Sequence, residues 1–229
     1  MQYRTMRLHI LALTLFLLLG TAPCASDASP KPASVFQKAC SAGNATFTKG
    51  LVRGGRGDDI VLGGVGEVHG DEDNDRIYGG RKSIRAFGDE GQDLLDGSPM
   101  ADDIAGGPGQ DILIGELGAD RFVYEQVRDS PADPHGRWSV RQGDTIVDFS
   151  TKDGDEIDLS KLPVGDPRAG RRLRWSNTSH RPYGVWVSPR EGDTVVFVET
   201  TGDRRADLAI RLLGRVRLSP TDFCGAEPR

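Results

Sequence analysis

Apolar residues in the middle of this chain come in short groups that recur every nine positions, separated by runs of Gly and Asp. Two copies are intact: Gly54-Gly55-Arg56-Gly57-Asp58-Asp59-Ile60-Val61-Leu62 and Gly106-Gly107-Pro108-Gly109-Gln110-Asp111-Ile112-Leu113-Ile114. Both fit G-G-x-G-x-D-x-U-x, where U is large and apolar. So short an apolar group cannot bury itself, and the pattern predicts short strands stacked turn upon turn around a thin core. Downstream the pattern changes. Apolar and polar residues alternate over 144–149 and 194–198, with Gly, Asp and Pro between them, which predicts further short strands. Trp175, Tyr183, Val185 and Trp186 bring bulk that the repeats lack. Upstream, residues 8–19 are nearly all apolar, broken only by His9 and Thr14.

The repeat can be laid in register along residues 54–123. A shortened segment, 63–69, follows the first copy; full copies then start at Gly70, Gly79, Gly88, Gly97, Gly106 and Gly115. Counted this way, the sixth positions are Asp59, Val68, Asp75, Ile84, Asp93, Asp102, Asp111 and Asp120. If every copy makes a half-turn, alternate copies lie on opposite edges. One edge carries Asp59, Asp75, Asp93 and Asp111, an acid in every loop. The other carries Val68, Ile84, Asp102 and Asp120, and Met100 there replaces a fourth-position Gly.

Glycines let such a loop bend where φ is positive and bring carbonyl oxygens together. The sixth-position Asp adds a formal charge. Calcium is a hard cation wanting six to eight oxygens in flexible geometry, and two stacked loops can supply them. The candidate metal-binding residues are Gly55, Arg56, Gly57, Asp58 and Asp59 in the first loop and Asp71, Glu72, Asp73, Asn74 and Asp75 in the second. Asp89, Glu90, Gly91, Gln92 and Asp93 form the third set, and Gly107, Pro108, Gly109, Gln110 and Asp111 the fourth. Asp102 and Asp120 are the candidates on the opposite edge. The reading expects up to three calcium ions on the Asp59 edge and at most one between Asp102 and Asp120. Charge supports a cation: residues 54–123 hold 16 Asp or Glu against 6 Lys or Arg, a net of −10, while the whole chain is −5. Without a cation so many carboxylates on a thin core repel one another. Asp71, Asp73 and Asp75 mimic the start of an EF-hand, but Arg76 stands where that loop needs Gly and Lys82 where it needs Glu.

These repeats resemble the RTX (hemolysin-type) calcium-binding nonapeptide family. The resemblance implies an all-β chain: a parallel β-roll, a right-handed β-solenoid, each copy giving six residues of loop and a three-residue strand. Gly118-Ala119-Asp120-Arg121-Phe122-Val123-Tyr124 resembles the closing repeat before the carboxyl-terminal region of serralysin-type proteases. Asp144-Thr145-Ile146-Val147-Asp148-Phe149, Asp155-Glu156-Ile157-Asp158-Leu159-Ser160 and Leu218-Ser219-Pro220-Thr221-Asp222-Phe223 follow in the family order. The expected organisation is a signal peptide at 1–25, a leader and transition at 26–53, the β-roll at 54–123 and a β-rich cap at 124–229. Within the transition, Gly43-Asn44-Ala45-Thr46-Phe47 reads as a decayed repeat with Ala where Asp belongs. Asp144, Asp148, Asp155 and Asp158 could ligate another ion, but the preferred reading is turn-capping or solvated acids. At 199–203, Glu199-Thr200-Thr201-Gly202-Asp203 lacks an acid of the family's D-x-D-G-D string, which argues against calcium there.

The amino end, with Arg4 and Arg7 before the apolar run and small residues from Gly20, reads as a secretory signal. The run is too short to span a membrane comfortably. Cys24 raises a lipoprotein reading, which Pro23 fits poorly. If Cys24 leaves with the signal, Cys40 and Cys224 remain, either bridged in an oxidising compartment or as separate thiols. The expected location is extracellular, where sites binding at roughly 10⁻⁴ to 10⁻³ M would fill.

Catalytic motifs are missing from the sequence. It has no H-E-x-x-H and no G-x-S-x-G, and its histidines, His9, His69, His135 and His180, are scattered. The acidic tract argues against nucleic acid, and the basic stretch 168–174 reads as a solvated face. The leading expectation is a secreted, noncatalytic calcium-binding protein whose partners are calcium ions and an extracellular glycan or protein. The alternatives are a calcium-rigidified adhesion module and an unrecognised extracellular enzyme. Trp138, Trp175, Tyr183 and Trp186 discriminate: exposed, they can stack on sugars; buried, they are the core of the cap.

Overall fold

In the computed structural model the described residues are 36–38, 44–46, 50–62, 66–133, 135 and 143–228. The expected signal sequence, Cys40 and Trp138 lie outside them. The first strands are β1 (Phe36–Lys38), β2 (Asn44–Thr46), β3 (Gly50–Arg56), β4 (Ile60–Leu62), β5 (Gly66–Glu72) and β6 (Arg76–Tyr78). They are followed by β7 (Ile84–Glu90), β8 (Leu94–Ser98), β9 (Asp103–Ala105), β10 (Ile112–Glu116) and β11 (Arg121–Val123). Odd-numbered strands form one parallel sheet and even-numbered strands another, so the chain alternates between two sheets at every copy. This is the parallel β-roll. Pairing extends upstream of Gly54 through β1, β2 and β3.

The register shows how the nine-residue period makes a core. In one sheet Val52, Val68, Ala86, Ile104 and Phe122 stand opposite one another. In the other Val61, Ile77, Leu95 and Leu113 do the same. Each is at most 2% exposed. Burial of one such side chain contributes about 1.5–3 kcal/mol, and each half-turn supplies only one.

Two expectations about register are corrected. Val68 pairs with Val52 and Ala86, so it occupies the apolar eighth position; Gly66, opposite Ile84, occupies the sixth. The short segment therefore loses its residues before the strand and keeps its core side chain, because losing the latter would open the stack. Likewise Ala45 pairs with Val61, which puts it in the apolar column and not where Asp belongs.

The two sheets run on without a break after Val123. β12 (Thr145–Ile146) pairs with β10, and β13 (Glu156–Asp158) pairs with β11. Ile146 and Ile157 extend the two apolar columns and are fully buried. Next come β14 (Leu173–Asn177), β15 (Gly184–Arg190), β16 (Asp193–Val198), β17 (Leu208–Leu212), β18 (Phe223–Cys224) and β19 (Ala226–Glu227). β17 pairs with β12 in parallel, and β15, β16 and β17 then pair antiparallel. β18 covers β13. One apolar cluster runs from Val52 through Phe122, Ile157 and Leu212 to Phe223. Trp175 and Trp186 are each only 7% exposed: Trp175 packs on Phe223 and Trp186 on Phe197. They are core residues of the cap. Cys224 is a free, half-buried thiol. Among the described residues no helix is long and apolar enough to cross a membrane.

The downstream strands cover the backbone edges of β10 and β11 together with Leu113 and Phe122. Residues 54–123 made alone should therefore need more calcium than the full chain and should aggregate or stay partly unfolded. Calcium-titrated circular dichroism with sedimentation checks this. A monomeric tract folding at the full chain's calcium concentration would show that the downstream strands do not cap the roll.

Candidate metal centre

Loops on one edge of the roll stack so closely that side chains are excluded. At Gly70, a Cβ would lie 2.2 Å from Asp75 Oδ2 and 2.6 Å from the Gly88 carbonyl oxygen. At Gly88 the same atom would lie 2.4 Å from Asp93 Oδ2 and 2.4 Å from the Gly106 carbonyl oxygen. The first-position glycine thus leaves open a space where one loop's carboxylate meets the next turn's carbonyl. The second position has positive φ in every loop: Gly55 at 111°, Asp71 at 79°, Asp89 at 67° and Gly107 at 93°. Asp tolerates this region better than most residues.

The candidate residues of this edge are brought together as four stacked loops. Gly55 pairs with Asp71 and Arg56 with Glu72, while Asp71 pairs with Asp89 and Glu72 with Glu90. Gly91 bridges to Gly109, and its N–H donates to the Pro108 carbonyl. Gly57 N–H donates to Asp73, Asn74 N–H to Asp58, and Gln92 N–H to Asn74. Gln110 lines the same cleft as Gln92 and Asn74. Not every acid in the set points at a neighbouring loop. Asp71 takes a hydrogen bond from Arg53, and Asp89 pairs with His69 Nδ1 at 2.7 Å, with His69 stacked on Phe87.

The sixth-position acids form a ladder. Asp75 Oδ1 accepts the Asp59 N–H at 2.7 Å, Asp93 Oδ1 accepts that of Asp75 at 2.7 Å, and Asp111 Oδ1 accepts that of Asp93 at 2.8 Å. Asp144 Oδ1 accepts the Asp111 N–H at 3.0 Å and adds a further rung. The other oxygen, Oδ2, of Asp75, Asp93 and Asp111 is buried and accepts no hydrogen bond, whereas the Asp144 carboxyl also bonds the buried Tyr124 hydroxyl. A buried anionic oxygen without a partner is costly. Its repetition on successive turns, beside a carbonyl of the next turn at Asp75 and Asp93, fits a cation with hard oxygen ligands. Among the described residues no three His, Cys, Asp or Glu side chains converge. Backbone carbonyls must therefore complete any coordination shell, as calcium permits.

The opposite edge is built differently. Both oxygens of Asp102 are occupied: Oδ1 accepts from the Ile84 N–H and Ser98 Oγ, and Oδ2 from the Ser98 N–H. Asp120 Oδ1 accepts the Asp102 N–H, and its Oδ2 is buried without a partner. Asp155 Oδ1 accepts from Asp120 N–H and Oδ2 from Ser150 N–H. Asp148 takes the Gly115 and Glu116 N–H groups, and Asp158 that of Ser160. Turn-capping thus describes Asp148 and Asp158. It does not describe Asp144 or Asp155, which are buried and accept the N–H groups of Asp111 and Asp120 as further rungs of the ladders on their two edges. Sequence reading weighed Asp144 as an ion ligand and preferred a turn cap because its loop lacks the repeat glycines; the D-x-I signal in Asp144-Thr145-Ile146 was the clue to its place in the ladder. Glu199 is buried and satisfied by the N–H groups of Tyr183 and Gly202 and the Thr201 hydroxyl.

Burial raises the ladder carboxyls: Asp75 and Asp120 to about 7, Asp93 and Asp155 to about 6. Asp111 and Asp144 are also pushed up, first by burial and then by each other's or a neighbour's charge.

The stacked half-turns, the glycine-lined loops and the carboxylate ladder define a calcium-binding β-roll of nonapeptide repeats. Residues 51–67 and 67–83 match the RTX calcium-binding nonapeptide repeat (4 copies), and residues 97–224 match the Peptidase M10 serralysin C terminal family. The chain belongs to that family, and its metal is Ca²⁺. No curated protein matches it. Two subunits of the Azotobacter vinelandii mannuronan C5-epimerase are similar in structure. AlgE6R3 is 28% identical over 71% of this chain and 77% of its own, with a TM-score of 0.37. AlgE6R2 is 22% identical over 79% and 89%, with a TM-score of 0.35.

The raised carboxyls set a pH dependence. Between the ordinary Asp value and about 7 the folded state binds more protons than the unfolded state. Stability without calcium must then fall as pH rises through that window. In chelator the chain should show more β structure at pH 5 than at pH 8, and calcium should remove the difference by displacing the protons. Circular dichroism melts at the two pH values check this; greater stability at pH 8 in chelator would overturn it.

Proposed function

We propose that this protein is an extracellular, noncatalytic module whose roll folds when it meets calcium. The ladder of buried, unpartnered carboxylate oxygens on Asp75, Asp93 and Asp111 carries the reading. The ions are held on this edge between successive loops, by the sixth-position Asp and by carbonyls of residues such as Gly88 and Gly106. A site between Asp102 and Asp120 is weaker, because Ser98 already occupies both Asp102 oxygens. Secretion is supported by the apolar amino-terminal run and by the match between such sites and extracellular calcium. Clefts of about 500 and 640 Å³ lie along the two loop edges, lined mainly by repeat residues, as loops built to hold ions require.

Millimolar calcium should convert the chain from an expanded state to β structure, with metal binding supplying the folding free energy. Circular dichroism and thermal melting in calcium and in excess chelator test this; identical spectra and melting would reject it. The ligand assignment makes a separate prediction. Asp93→Ala touches two neighbouring loop pairs and should weaken calcium binding at least as much as losing an outer-shell partner does, about ten- to a hundredfold. Asp102→Ala should change it much less. Equal losses in calcium titrations of the two variants would show that the edges are equivalent.

A further inference from the structure

Charge is segregated along this molecule. Against the −10 of residues 54–123, residues 165–217 hold eleven arginines and six Asp or Glu, a net of +5, and no lysine. Three loops of this basic region meet around Tyr183. The Gly165 N–H donates to the Thr200 carbonyl, the Tyr183 hydroxyl donates to the Thr201 carbonyl, and the Arg171 guanidinium lies 4.6 Å from the centre of the Tyr183 ring. The buried Glu199 clamps two of the loops by accepting the N–H groups of Tyr183 and Gly202. The meeting point is backbone-strained: Tyr183 has φ 55° and Arg204 φ 69°. Such conformations persist only where the surroundings impose them. Arg168, Arg171, Arg181, Arg204 and Arg205 are exposed on these loops, and none forms an ion pair among the described residues. Two acids of the loops, Asp166 and Asp203, are turned back onto the N–H groups of Arg168 and Arg205.

We propose that this arginine face binds an acidic polysaccharide through its carboxylate or sulfate groups. The proposal rests on the reading of the chain as a calcium-folded extracellular module. Arginine without lysine suits planar oxyanions, which its fork engages two oxygens at a time. The arginines are spread over three loops, which fits a chain of repeated charges. A nucleic acid strand would need free aromatic faces for its bases, but Trp175 and Trp186 are buried and Arg171 sits over Tyr183. An anionic membrane would be gripped by apolar side chains beside the charges. Among the described residues, the exposed large apolar ones, Met100, Ile112 and Leu117, lie on the roll instead.

The test uses the full chain in calcium with labelled short oligouronates, a sulfated oligosaccharide, a neutral glucan, duplex DNA and vesicles containing anionic lipid. Circular dichroism is recorded on every sample. Folded protein should bind one or both acidic oligosaccharides, more weakly as salt rises, and should ignore the glucan. R181A/R204A should lose at least about tenfold in affinity while keeping its spectrum, since hydrogen bonds to charged groups are individually worth more than neutral ones. R121A, on the roll, should bind like the unaltered chain. Folded protein that binds neither acidic oligosaccharide, or R181A/R204A that binds undiminished, overturns the proposal. Tighter binding to DNA or vesicles overturns the partner assigned. A chain without β structure in calcium refutes the folding reading and takes this proposal with it.

Discussion

On one edge of the roll, successive turns bury a carboxylate, and around Gly70 and Gly88 its second oxygen meets a carbonyl of the next turn. The stack contributes one apolar side chain per half-turn, too little to offset a row of charges only one turn apart. Two ways of relieving that repulsion exist: protonation, which the raised carboxyls of Asp75 and Asp93 display, and a divalent cation. Calcium, which this family of repeats binds, supplies the second way. The glycines serve the same end, since the Asp75–Gly88 approach leaves no room for a Cβ at Gly70.

The ladder does not stop where the repeats stop. Asp144 accepts the Asp111 N–H, and the Asp144 N–H donates to Ser130 Oγ, which itself donates to the Ala209 carbonyl. The metal-binding edge is therefore hydrogen-bonded into β17, and the antiparallel strands β15, β16 and β17 end a parallel stack that has no natural terminus. Trp175, Phe223 and Phe149 thicken the core there.

The same division appears in charge. The roll concentrates acids because its ligand is a cation, and the cap concentrates arginines on loops that hold no sixth-position acid. A molecule polarised in this way presents calcium-bearing and oxyanion-binding faces at different places. Loss of aromatic stacking to the core, at Trp175 and Trp186, leaves the charge pattern as the feature of the cap available to a partner.

The period of nine, with its Gly and Asp, determined by itself the roll and the calcium chemistry, because each copy is a local unit whose backbone needs and charge are written in consecutive residues. It missed what depends on alignment between turns. Val68 and Gly66 exchanged roles because pairing with Val52 and Ala86, not counting from Gly63, fixes the core column. Ser98 closed the Asp102 carboxylate, and Asp144 joined the ladder across 33 residues. Arg168, Arg181 and Arg204 are far apart in sequence, and a basic stretch at 168–174 looks like any solvated face. Only the tertiary structure, through the Gly165–Thr200 and Tyr183–Glu199 contacts, gathered them onto one surface.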